Sequence, residues 1–108
     1  MKKIEPYTIQ TLTYKHTQDQ IHGNDPVYES ALNIVKNKIN EVKKLKQFDA
    51  SSVGLYGTVT EIEKAIKTID DIKTGKIDIE LIENYIRYYI QSEVKELNEI
   101  IDEIEKDQ

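Results

Sequence analysis

From Pro26 onward the apolar residues recur every three or four positions. Tyr28, Leu32, Val35, Ile39 and Val42 fall within about 80° of one another at 100° per residue, and Leu45 widens the stripe on one side. The pattern predicts a helix. Asp25 suits the N-cap and Pro26 the first helical position, where its missing N–H costs nothing. The helix is expected to end near Gln47.

A second stripe runs through Leu55, Val59, Ile62, Ile66 and Ile69. Thr58-Val59-Thr60-Glu61 reads as a capping box, which starts a helix at Thr58. The apolar stripe allows an earlier start near Ser51 that tolerates Gly54 and Gly57. Lys73 and Gly75 mark the C-terminus. A third helix follows the N-cap candidate Asp78, with Ile79, Ile82, Ile86, Tyr89, Ile90, Leu97, Ile100, Ile101 and Ile104 as its buried stripe. Continued to Asp107, it is about 44 Å long at 1.5 Å per residue. Its end is expected to project past the bundle or to meet a second copy.

Residues 1–24 are harder to read. Tyr7 and Ile9, then Leu12 and Tyr14, alternate with threonines, which predicts a strand, or two short ones with a slip at Thr11. Ile9, Leu12 and His16 also stand at helical spacing, so a weak helix competes. The expected fold class is mainly α. It is an up-down-up three-helix bundle over 25–108 with an extended N-terminal arm over 1–24, short β structure included, all in one domain.

Composition narrows the function classes. At 108 residues the chain can bury a core, and it has no cysteine, so disulfides, thiolate metal sites and thiol nucleophiles are excluded. No apolar run reaches transmembrane length, and no apolar segment follows Lys2 and Lys3 as in a signal peptide, so the expected location is the cytoplasm. Net charge is −5, and residues 93–108, with seven acids and two lysines, account for all of it. The five lysines between 36 and 46 scatter around their helix, so direct nucleic-acid binding is not expected. Isoleucine and lysine dominate and Arg87 is the one arginine. Such usage fits an AT-rich genome and suggests a low-GC bacterium, its phage or its plasmid.

Candidate chemistry is sparse. Asp70 to Leu81 has the glycine of a calcium loop, but Ile72 and Leu81 stand where oxygen ligands are needed, so a helix–Gly–helix turn is expected. His16 and His22 lack the spacing of a metal pair. Ser51 and Ser52 precede a glycine-bearing stretch without a Walker lysine or a nucleophile elbow, which reads as a turn. Glu93 falls inside the apolar stripe of the third helix. It is either a polar layer that sets register or a group facing water or a lysine. No catalytic residue, metal or cofactor is expected.

Two features point to binding. Leu81, Tyr85 and Tyr88 form a second apolar stripe at i, i+4 and i+7, with Arg87 beside them in sequence, and tyrosine and arginine favour binding hot spots. That stripe is covered either by the N-terminal arm or by another molecule. Glu96, Glu99, Asp102, Glu103 and Glu105 oppose the helix dipole and suit a basic partner. The expected function is a non-enzymatic protein-interaction module: a small adaptor, inhibitor or regulator. One form of it is an acidic phage or plasmid counter-defence inhibitor of a nucleic-acid-handling protein. The partner is another protein or a second copy (a homodimer), with no membrane. The alternative is a small structural or secreted helical assembly protein.

Overall fold

The computed structural model describes residues 1–13, 25–50, 52–77 and 79–106, with the backbone alone described for residues 13 and 79–87. Its described residues are mainly helical and contain no strand. The described residues form four α-helices: α1 (Pro6–Thr13), α2 (Pro26–Val42), α3 (Leu55–Lys73) and α4 (Ile79–Lys106). A 3-10 turn, Lys46–Asp49, lies between α2 and α3.

The cap expected at Asp25 is present. Its Oδ1 accepts from the backbone N–H of Val27 at 2.9 Å and of Tyr28 at 3.3 Å, and Pro26 opens the helix. α2 ends at Val42, earlier than Gln47, because the N–H groups of Lys44 and Leu45 bond three residues back, to Glu41 and Val42. These bonds tighten the last turn and take up carbonyls that a longer helix would use. α3 begins at Leu55, between the two expected starts. Gly54 precedes it at φ +76°, a left-handed conformation that a side chain would resist. The capping box is not used: Thr58 is buried, and its N–H bonds to the Gly54 carbonyl at 3.2 Å.

Gly75 closes α3 as its position predicts. At φ +79° it donates to the Ile72 carbonyl at 3.1 Å, and Lys76 donates to the Asp71 carbonyl at 2.8 Å. This pair of bonds is the Schellman arrangement. The segment resembling a calcium loop is therefore, up to Ile77, a helix ending. Asp78, His16 and His22 lie outside the described residues.

The N-terminal expectation needs correction. Pro6–Thr13 is a helix, not a strand. The period-two reading counted threonines as polar and Tyr7 as apolar. In the fold Thr8 and Thr11 are buried beside Ile4, Ile9 and Leu12, while Tyr7 is 66% exposed. The Thr11 hydroxyl donates to the Tyr7 carbonyl at 3.0 Å, which satisfies it within the helix. Positions 8, 11 and 12 then form one helical face, with Ile4 buried just ahead of it.

That face packs against α2 and α4, and α4 packs along α3. Ile4, Ile9 and Leu12 belong to the same buried cluster as Leu32, Val35, Ile62, Ile69, Leu97 and Ile101. Ion pairs register the helices. Glu29 at the start of α2 meets Lys73 at the end of α3 at 2.6 Å, and Lys43 just past α2 meets Glu63 at 2.8 Å. The first of these is half-buried, and the ammonium takes up a Glu29 oxygen that has no other partner. Tyr28 next to it is fully buried, and burial, then the Glu29 charge, pushes its phenol well above the usual tyrosine range.

α4 sets the size of the molecule. Its 28 residues span 42 Å at 1.5 Å per residue, which is the long dimension of the 42 × 24 × 20 Å molecule. Its acidic end does not project free. Ile100, Ile101 and Ile104 are buried, and residues 1–5 lie along this turn. Lys3 pairs with Asp102 at 3.1 Å, and the Met1 ammonium pairs with Glu105.

Candidate interaction surface

The outward ridge of α4 holds four of the residues assigned to binding from sequence: Tyr88, Glu96, Glu99 and Glu103. Tyr88, Ser92, Lys95, Glu96, Glu99 and Glu103 are all exposed, and at 100° per residue they share one face about 100° wide. Tyr88 is 59% exposed, so its ring is not sealed beneath residues 4–12. Those residues run beside a neighbouring face: Pro6, Ile9 and Gln10 flank a cleft opposite Gln91 and the ridge residue Lys95, and the Ile4 backbone bonds to Asn98. Leu81, Tyr85 and Arg87 lie in the first turns of α4, and their side chains are outside the described residues.

The acids divide into two groups. Asp102 and Glu105 are taken up by Lys3 and the Met1 ammonium. Glu96, Glu99 and Glu103 enter none of the ion pairs among the described residues and face solvent. From first to last they are seven steps apart, or about 10.5 Å of helix.

Glu93 sits at the edge of this ridge, half-buried. It remains partly open to water, and its charged neighbours are carboxylates rather than a lysine: Glu61 of α3 and Glu96 one turn on. Burial first, then these two charges, hold its carboxyl above the usual glutamate range. Glu61 in turn accepts from the Tyr89 hydroxyl and pairs with Lys64 at 3.4 Å. A proton on Glu93 relieves the repulsion from the Glu61 and Glu96 carboxylates. Among the described residues no group of three or more histidine and acidic side chains is placed to hold a metal ion. No helix among them is long and apolar enough to cross a membrane.

Sequence reasoning missed two features. Asn98 holds the backbone of Ile4, accepting from its N–H at 2.8 Å and donating to its carbonyl at 2.9 Å. No local pattern marks an asparagine for that role. The second is a cleft of about 270 Å³ between α1 and α2, flanked by exposed Tyr7, Val27 and Ile34. Its signal was present: Val27 and Ile34 stand at i and i+7, about 100–120° off the buried stripe of α2.

Comparison with family models, curated protein sequences and solved structures returns no match.

Proposed function

We propose that this chain is a non-enzymatic interaction module, an adaptor, inhibitor or regulator, that docks on a basic protein surface through the outward ridge of α4. The scaffold in this reading is an up-down-up bundle of α2, α3 and α4, with residues 1–13 laid between α2 and α4. One observation carries the proposal: Glu96, Glu99 and Glu103 face solvent unpaired by any described cation, on the same ridge as the exposed ring of Tyr88. Tyrosine anchors and complementary charge are the usual sources of affinity and of association rate.

Charge density argues for a protein partner in general over mimicry of a phosphate backbone. Duplex DNA carries one charge per roughly 1.7 Å of axis, so about six over 10.5 Å, where the ridge has three acids. An inhibitor of a nucleic-acid-handling protein is a narrower form of the proposal that this count does not favour.

The test uses the full chain as bait in the cells that make it. Capture of a defined protein is expected, weakening steeply with salt and lost on combined Glu96→Lys, Glu99→Lys and Glu103→Lys substitution. Tyr88→Ala is expected to lose capture with helicity intact. Capture indifferent to salt and to these variants removes the ridge from the function.

A further inference from the structure

Among the described residues, the two helices that form the α1–α2 cleft present an uncharged face beside it. α1 contains no charged residue, and in a chain that is 32% charged the adjoining face of α2 has none from Pro26 to Asn37. That face presents Val27, Ser30, Asn33, Ile34 and Asn37. One turn further on, Lys38 and Glu41 pair at 3.1 Å and cancel. Tyr7, Val27 and Ile34 are 66%, 52% and 41% exposed, three of the six large apolar side chains that are exposed among the described residues. Thr11, Ser30 and Ala31 line the cleft between them.

We infer that this face joins two copies of the chain about a two-fold axis, with Tyr7 of each copy seated in the α1–α2 cleft of the other. Two copies at −5 each repel, and an uncharged face lets them meet without opposing like charges. Each copy carries both halves of the contact, an exposed ring beside an open cleft, as two-fold pairing requires. The cleft is large enough: about 150 Å³ of apolar cavity already accepts a benzene ring, against about 270 Å³ here. The uncharged part of α2 is only about 18 Å long at 1.5 Å per residue. With α1 beside it the face is two helices wide, about 20 Å, and so covers roughly 360 Å², short of the roughly 800 Å² per partner of a standard interface. The dimer therefore dissociates on dilution. None of its contact residues belongs to α4, so this inference stands or falls separately from the ridge.

Sedimentation velocity on the full chain, across a wide concentration range at low and high salt, tests it. A monomer–dimer equilibrium is expected that strengthens with salt, because salt screens the repulsion between copies. Tyr7→Lys and Ile34→Lys should each weaken it by roughly thirtyfold, the loss of a hot-spot contact. Tyr88→Lys should leave it unchanged. Circular dichroism verifies that the variants keep their helicity, and if Tyr7→Lys loses it, Val27→Lys on the same face takes its place. A monomer at every concentration overturns the inference. So does a dimer that survives the Tyr7→Lys, Ile34→Lys pair, or one that Tyr88→Lys abolishes.

Discussion

The side-chain amide of Asn98 holds the backbone of Ile4 as a neighbouring strand would, accepting from its N–H at 2.8 Å and donating to its carbonyl at 2.9 Å. The two residues are 94 apart in sequence. With Ile4 buried and Lys3 on Asp102, this contact fixes where residues 1–5 lie on α4.

Removing the amide should loosen that contact. Asn98→Ala leaves both Ile4 groups half-buried without their partner and is expected to cost about 1–3 kcal/mol. Asn98→Asp keeps the acceptor but cannot donate, so the Ile4 carbonyl loses its bond. Denaturant melts give the loss, and hydrogen exchange at the Ile4 amide locates it. An Ile4 amide equally protected in all three proteins would show that the contact is not made in solution.

α1 should behave as part of the core. Leu12 is fully buried against α2 and α4, and Leu12→Ala is expected to destabilise the whole fold by about 2–5 kcal/mol, the range for a buried leucine. An arm that merely rests on a finished bundle would show a change near zero in the same melt.

Glu93 gives a pH dependence with a definite sign. Its folded carboxyl titrates above its unfolded one, because of burial and the Glu61 and Glu96 charges. The folded state thus binds more protons between the two pKa values, and stability falls as pH rises from the ordinary glutamate value through the raised one. Glu93→Gln should stabilise the protein at neutral pH and flatten that part of the curve. Thermal melts from mildly acidic to neutral pH read both effects. A variant whose pH profile overlays the parent would place the carboxylates too far apart to interact.

Much of the fold was legible along the chain. The three long helices follow from apolar residues at helical spacing, the start of α2 from Asp25 and Pro26, and the end of α3 from Gly75. Exposure at the candidate site was left open by the sequence, which allowed the Leu81, Tyr85 and Tyr88 stripe to be covered by residues 1–24 or by another molecule; in the fold Tyr88 and the acids at 96, 99 and 103 face outward. The α1–α2 cleft could have been found by applying to Val27 and Ile34 the wheel argument used for Leu81, Tyr85 and Tyr88.

Helix periodicity and caps involve residues within a few positions of each other, and so the sequence alone determined α2, α3 and α4. Tertiary packing decided the rest. It made Pro6–Thr13 a helix by burying Thr8 and Thr11, and it split the acidic end of α4 into partnered Asp102 and Glu105 and solvent-facing Glu96, Glu99 and Glu103. The first rests on packing against both α2 and α4, the second on ion pairs between residues 99 and 104 positions apart, and no local spacing encodes which distant group arrives at a given face.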